Sequence, residues 1–183
     1  ASSKSVKNLL IVWVLVLIVF LGCDGAEEKN TDDNVSFQEI QNLETVFNFE
    51  DLLATGWKKS KQYDVTGLDD ALSAYMGYWA LQNRNPVTYE IRIYPSHKTA
   101  MESGTSFAEE GSGETAILRS SKARWKEGLN NRRRIVGGGD RGKTNPRYGA
   151  YIIYGNLIIL CEGRTREYSI ENCKQLVKRF GYN

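Results

Sequence analysis

Histidine is nearly absent from the sequence, which contains only His97 among 183 residues. No metal-ligand cluster is visible, because the two downstream cysteines lie 12 residues apart and no histidine is near either of them. One histidine is enough for a Ser-His-Asp triad, but the sequence has no Gly-x-Ser-x-Gly turn to present a nucleophile. We therefore predict that His97 is a solvent-exposed residue in the first turn of a helix, and we assign no catalytic residue, metal or cofactor.

Long hydrophobic runs are also scarce, and the longest covers only the 13 residues from Leu9 to Leu21. As a helix this run would span about 20 Å, whereas a bilayer core is about 30 Å thick and is crossed by about 20 apolar residues. The run is apolar on every face, follows Lys4 and Lys7, and precedes a strongly polar stretch. These features argue against a buried core helix and indicate the hydrophobic core of a signal peptide.

The run ends in Phe20-Leu21-Gly22-Cys23, which resembles the lipobox of bacterial lipoproteins. Gly22 and Cys23 match that pattern, whereas Phe20 and Leu21 depart from the residues that are usual at the first two positions. The resemblance implies that Cys23 is lipidated and becomes the mature N-terminus, so that acyl chains hold the protein on the extracytoplasmic side of a membrane. The alternatives are an uncleaved signal anchor and ordinary cleaved secretion.

Cysteine is used only three times. Once Cys23 is assigned to the lipid, Cys161 and Cys173 remain as an even pair in a compartment where disulfides persist. We predict a disulfide between them that joins the last strand to the last helix. The alternative is a pair of buried thiols.

Net charge is close to zero, but the charges are unevenly distributed along the chain. Removal of Lys4 and Lys7 with the signal peptide leaves 22 basic and 22 acidic residues. Residues 24–56 carry nine acids and one base, whereas residues 119–147 carry ten bases and two acids. This polarity indicates a local charged surface and not a uniformly basic protein.

The basic segment is predicted to be a contact surface and not part of the core. Each unpaired buried charge costs several kcal/mol, so Arg132, Arg133 and Arg134 cannot all be buried. They are solvated, paired with the acids of residues 24–56, or in contact with anionic lipid headgroups or an acidic protein surface. Export argues against nucleic acid as the partner. The candidate contact residues are Arg132, Arg133, Arg134, Arg141 and Lys143.

Residues 137–144, Gly-Gly-Gly-Asp-Arg-Gly-Lys-Thr, fit the pattern of a phosphate-binding loop. Such a loop needs a helix that begins at the Gly-Lys pair, but Pro146 follows Thr144 closely. The preceding residues 132–136 are too charged for a buried parallel strand. We interpret the segment as a glycine-rich surface loop and predict no bound nucleotide.

Hydrophobic periodicity and turn signals predict the secondary structure. The predicted strands are 73–81, 87–94, 148–154 and 157–161, of which the second is half-buried and the last two form a hairpin covered on both faces. The predicted helices are 49–54, 96–110, one around Trp125 within 116–130, and 169–180.

This order predicts an α+β fold, an antiparallel sheet of about four strands with helices packed against it, after an N-terminal hydrophobic signal or anchor helix. The predicted boundaries are 1–23 for the signal peptide or anchor, 24–36 for an acidic linker, and 37–183 for a single extracytoplasmic domain.

No family is recognised for residues 37–183. An aromatic group could form a ligand-binding face, although aromatic residues on strands more often pack in or on the sheet. Its members are Tyr75, Tyr78, Trp79, Tyr89 and Tyr94. The leading hypothesis is a membrane-tethered, non-catalytic interaction or binding module, for example an accessory subunit of a membrane complex. The alternative is a small extracytoplasmic hydrolase, which would bring His97, an acid and a nucleophile into one cleft.

Overall fold

The structure, a computed structural model, describes residues 37–80, 84–137 and 142–181. The predicted signal segment with Cys23, the acidic linker and Arg141 lie outside these residues. Within them, no helix has the length and apolar character needed to cross a membrane.

The described strands and helices lie between Ile40 and Phe180. The strands are β1 (Ile40–Gln41), β2 (Lys58–Tyr63), β3 (Ser73–Trp79), β4 (Val87–Ile93), β5 (Arg133–Val136), β6 (Lys143–Pro146), β7 (Tyr148–Tyr154) and β8 (Leu157–Glu162). The helices are α1 (Phe49–Ala54), α2, which runs through His97–Thr99, Ala100–Gly104 and Thr105–Gly111, and α3 (Arg166–Val177), which continues into the 3-10 turn Lys178–Phe180.

Six strands form one sheet in the order β1-β7-β8-β4-β3-β2. Only the two-residue contact of β1 with β7 is parallel, and every other pairing in this sheet is antiparallel. Strands β5 and β6 pair with each other as a separate antiparallel ribbon. The predicted α+β class and antiparallel sheet are confirmed, and the sheet has six strands where about four were expected.

Strand β2 is the edge strand that the hydrophobic pattern did not predict. Its sequence, Lys-Lys-Ser-Lys-Gln-Tyr, contains one buried residue, Tyr63, after five exposed ones. A strand at the edge of a sheet with one face in water needs little apolar content, and lysines at an edge discourage pairing with another chain. Its register is therefore set by pairing with β3, with an irregularity between Lys59 and Lys61.

The first face of the sheet is covered by α1 and α3. Ile91 of β4 and Ile159 of β8 pack there against Leu176 of α3, and all three are fully buried. Helix α3 begins at Arg166 instead of the predicted Ser169, because the Thr165 side chain caps it by accepting a hydrogen bond from the Tyr168 N–H at 3.3 Å.

A disulfide joins Cys161 of β8 to Cys173 of α3 on this first face. Their Cα atoms are 5.7 Å apart, well within the reach of the bond, and both residues are fully buried. The predicted disulfide is confirmed, and it fixes α3 directly to the centre of the sheet.

The second face is covered by α2 and by residues 112–132, which we call the strap. Ser96 caps α2 as predicted, with its side chain accepting a hydrogen bond from the Thr99 N–H at 3.0 Å. Phe107 and Ala108 of this helix are buried against the sheet. Strand β4, predicted to be half-buried, is therefore buried on both faces, and the β7–β8 hairpin is covered on both faces as predicted.

The predicted helix around Trp125 is wrong, because the strap consists of turns and irregular backbone. Gly128 has a φ of 72°, in the left-handed region that glycine adopts without strain. A Cβ atom at this position would also meet the ring of Tyr63. The strap is therefore shaped by close packing on the sheet and not by helical hydrogen bonding.

Candidate binding surface

The strap is held to the sheet by Trp125, which is 2% exposed. Its indole N–H donates a hydrogen bond to the Asp64 carbonyl oxygen at 3.1 Å. Its ring makes an edge contact with Tyr63, with ring centroids 5.9 Å apart. A large apolar side chain with a satisfied N–H is a strong anchor for a segment without regular secondary structure.

Beside Trp125 lies a buried charge cluster formed by Glu90 and Arg92 of β4 and by Arg132 at the end of the strap. One carboxylate oxygen of Glu90 accepts hydrogen bonds from Nε and Nη2 of Arg92 at 2.9 and 2.7 Å. The other oxygen accepts from Nε of Arg132 at 2.9 Å. The side chains of Glu90 and Arg92 are fully buried, and that of Arg132 is 3% exposed. One carboxylate thus ties a strand to the strap.

The two arginines of the cluster also lie close to the indole of Trp125. The guanidinium carbon of Arg132 is 4.3 Å from a Trp125 ring centroid, and that of Arg92 is 5.1 Å away. Such cation–π contacts gain strength where water is excluded. Arg132 also donates hydrogen bonds to the carbonyl oxygens of Trp125 and Glu127. A single buried guanidinium therefore fixes the shape of the strap as well as its position.

The charges and burial in this cluster lower the pKa of Glu90 and raise the pKa values of Tyr63 and Tyr148. Burial by itself would raise the pKa of Glu90, but the positive charges and hydrogen bonds of Arg132 and Arg92 outweigh it and lower that pKa below its usual value. Burial and the negative charge of Glu90 raise the pKa values of the phenols of Tyr63 and Tyr148. Glu90 is therefore the ionised member of the cluster, and the two tyrosines stay neutral.

This geometry corrects the prediction for Arg132 and for the strap as a whole. Arg132 was expected to be available to a partner, but it is buried in the cluster, because Glu90 supplies the charge that makes its burial possible. The expectation that the basic segment lies outside the core is also wrong in part. Among its residues that the structure describes, four are buried, namely Ala123, Trp125, Leu129 and Arg132.

The other cations of this region lie around the β5–β6 ribbon, and we call them the basic surface. Its members are Lys61 of β2, Arg119, Lys122 and Lys126 of the strap, Arg133 and Arg134 of β5, and Lys143 of β6. Arg133 and Arg134 are half-buried and the other five are exposed. None of the seven forms an ion pair with an acid in the part of the chain that the structure describes.

The ribbon divides the basic surface into two clefts. On one side, Arg133 and Thr144 face a cleft that Arg119 and Lys122 of the strap also line. On the other side, Arg134, Val136 and Asn145 face a cleft bounded by residues 163–167 at the start of α3, and this cleft is also lined by Glu114 and Glu167. The structure therefore places Arg133, Arg134 and Lys143 on one short element, with Arg133 and Arg134 on opposite sides of it.

Two donors on the ribbon have no acceptor. The Nε atoms of Arg133 and Arg134 are shielded from solvent and have no hydrogen-bond partner among the described residues. Nη1 of Arg133 donates to the Asn130 side-chain oxygen at 3.1 Å. A shielded N–H without an acceptor is unfavourable.

The rival explanation for these charges is that the cations pair with acids of residues 24–56 in the same chain. The structure describes residues 37–56 of that stretch. Glu39 pairs with Arg166 of α3. The Asp51 side chain accepts a hydrogen bond from the Asn48 N–H at 2.8 Å as part of the α1 cap. Across residues 37–80, 84–137 and 142–181, no acid of this stretch pairs with the basic surface.

His97 lies at the start of α2, as predicted, but is half-buried and not fully exposed. Its Nδ1 is 2.8 Å from the Gly155 carbonyl oxygen, where a catalytic triad would place a carboxylate. Among the described residues, no group of three or more His, Cys, Asp or Glu side chains could hold a metal ion. No observation therefore favours the hydrolase alternative.

The aromatic group does not form one face. Tyr75, Trp79 and Tyr89 pack in the core on the first face of the sheet, whereas Tyr94 lies in the core on the second face. Tyr78 is 39% exposed. The packing interpretation therefore explains four of the five residues.

The segment that resembles a phosphate loop does not precede a helix. Lys143 and Thr144 lie in β6, paired with Val136 and Ile135 of β5. Four residues of the pattern, 138–141, lie outside the described part. Because a strand begins at Lys143, its backbone N–H groups are not arranged as the N-terminus of a helix.

Residues 48–181 match DUF6810, a family of unknown function. The chain belongs to this family. The match extends from the cap of α1 to the end of the last helical turn, so the buried charge cluster and the basic surface both lie within it. No curated protein and no solved structure matches the chain significantly.

Proposed function

We propose that residues 37–183 form a non-catalytic interaction module that is tethered outside the cytoplasm through a lipid on Cys23. Its basic surface binds an anionic partner, and one form of this role is an accessory subunit of a membrane complex. The tether is supported by the signal-length run Leu9–Leu21 and by the lipobox-like Gly22-Cys23. Two acyl chains hold a protein on a membrane stably, whereas one chain does not.

One observation carries the proposal, namely the contrast between the paired and the unpaired cations of one region. Arg132 is neutralised by Glu90, Arg124 by Glu110 and Arg147 by Glu162. The seven members of the basic surface have no such acid, and five of them line two clefts that share Arg133, namely Lys61, Arg119, Lys122, Lys126 and Arg133. Like charges held together repel each other, so an anionic partner would gain from several of them at once.

The buried cluster supports this role because it makes the surface rigid. Arg132 directly precedes β5, and its backbone oxygen accepts a hydrogen bond at 2.8 Å from the N–H of Arg147, which directly follows β6 at the same end of the ribbon. The strap and the ribbon are therefore fixed to the sheet at the point where they meet. A preformed surface loses less conformational entropy on binding than a mobile loop.

Affinity purification of the full-length protein from native membranes tests the proposal. The test variant is Arg133→Ser with Arg134→Ser, which leaves the buried Arg132 intact. The control is Lys98→Ser with Lys178→Ser, which removes the same charge at exposed positions of other elements. We expect the anionic partner to be lost from the test variant and retained by the control. Equal recovery of the partner with all three proteins contradicts the proposal.

A further inference from the structure

The β5–β6 ribbon carries the most exposed large hydrophobic side chain of the described residues. Ile135 is 74% exposed and its neighbour Val136 is 43% exposed. The ribbon pairs with no strand of the main sheet in the described part, so both residues lie on a separate element. Adjacent exposed apolar residues on such an element indicate a contact site.

The cations of the ribbon lie at a fixed distance from these two apolar side chains. Side chains alternate between the two faces of a strand, so Ile135 shares a face with Arg133, and Val136 shares the other face with Arg134. Two residues along a strand are about 7 Å apart. Lys143 pairs with Val136, so a third cation lies beside the two apolar residues.

We propose that the ribbon docks on an anionic lipid bilayer, with Ile135 and Val136 in the interfacial region and Arg133, Arg134 and Lys143 at the headgroup phosphates. This inference rests on the proposed function and names its partner. An acidic protein surface would account for the arginines, but it gives no reason for two exposed β-branched residues next to them. A bilayer interface accounts for both, because amphipathic segments bury their apolar side about 5–10 Å into it.

The guanidinium groups of Arg133 and Arg134 suit the same partner, because phosphate oxygens accept hydrogen bonds from guanidinium groups readily. Arg119 and Lys122, which line the cleft beside Arg133, extend the positive surface towards the same headgroups. The linker 24–36 has 13 residues and spans at most about 45 Å, so a lipid at Cys23 would keep the domain within reach of the membrane.

The experiment uses full-length protein in which Ile135 is replaced by an environment-sensitive fluorescent amino acid. The protein is reconstituted into phosphatidylcholine vesicles with or without phosphatidylglycerol, and brominated acyl chains serve as the quencher. The matched control carries the same fluorophore at Leu72, an apolar residue that is 63% exposed and lies before β3. Both probes are also measured with Arg133→Ser and Arg134→Ser in place.

At position 135 we expect a blue shift and quenching in vesicles that contain phosphatidylglycerol, reversed by added salt, and no change at position 72. The double substitution should lower the ratio of docked to free ribbon by roughly thirtyfold, at about 1 kcal/mol for each arginine removed. Unchanged emission at position 135, or equal changes at both positions, overturns the inference. If the inference fails while the double substitution still removes a co-purifying partner, that partner is a protein and the proposed function stands.

Discussion

Replacement of Glu90 by glutamine tests whether the buried charge cluster holds the strap on the sheet. Glu90→Gln keeps the shape of the side chain but removes the only negative charge between Arg92 and Arg132, which are 0% and 3% exposed. It also brings an amide N–H group against a guanidinium donor. Removal of one partner from a buried ion pair typically costs about 3–5 kcal/mol, which corresponds to a fall of roughly 10–20 °C in Tm for a domain of this size.

Thermal and urea unfolding of the wild type and the variant measure this cost. The control is Glu102→Gln, because Glu102 pairs with Lys98 across 3.9 Å with side chains 65% and 80% exposed. Such exposed pairs contribute about 0–1 kcal/mol, so the control should match the wild type closely. Trypsin should also cleave the variant faster within the strap, at Arg119, Lys122 or Lys126, because the strap has lost its anchor.

The pH dependence of the unfolding free energy tests the same prediction independently. The pKa of Glu90 is lower in the folded protein than its usual value, so its stabilising effect is present above the unfolded pKa, about 4.3. That effect is lost as the pH falls through the folded value. The gap in unfolding free energy between wild type and Glu90→Gln should therefore narrow at acidic pH. A difference in unfolding free energy below about 1 kcal/mol between wild type and Glu90→Gln at pH 7 would refute the view that this cluster is desolvated and ionised.

Two further predictions concern the disulfide and the N-terminal lipid. Replacement of both Cys161 and Cys173 by alanine should lower the unfolding free energy by about 3 kcal/mol, because the bond closes a loop with a sequence separation of 12 residues; an unchanged urea midpoint would argue against it. The intact mass of the native protein should correspond to a chain that begins at a diacylated Cys23. A mass that corresponds to a chain beginning at Asp24 or later, or to an unmodified Cys23, would exclude the lipid tether.

The parts of the fold that the sequence predicted are those in which local pattern and burial agree. The β7–β8 hairpin combines two apolar runs with a Gly-Asn turn, and α2 combines a serine cap with a glycine end. Strand β2 was missed because an edge strand with five exposed residues has no apolar alternation to detect. The strap was misinterpreted as a helix because a tryptophan among charged residues does not show whether it packs on its own segment or on a distant sheet.

The candidate site was predicted in composition but not in arrangement. The run of Arg132, Arg133 and Arg134 indicated a charged surface, yet nothing local to it shows which arginine is buried. That depends on Glu90, which lies 42 residues earlier in sequence. Glu90 and Arg92 occupy alternate positions of β4 and therefore share a face with Thr88. Alternation of apolar and polar residues is typical of a strand with one face in water, so the burial of this pair and its partner on the strap follow only from the tertiary structure.

The most direct measurement of the central claim is the salt dependence of partner retention by the full-length protein. If the basic surface holds an anionic partner, retention should fall as ionic strength rises, because the Debye length shortens from about 30 Å at 0.01 M salt to about 8 Å at 0.15 M. The Arg133→Ser and Arg134→Ser variant should start lower and respond less steeply. Retention that is indifferent to salt and equal in both proteins would contradict the claim that this surface is the binding site.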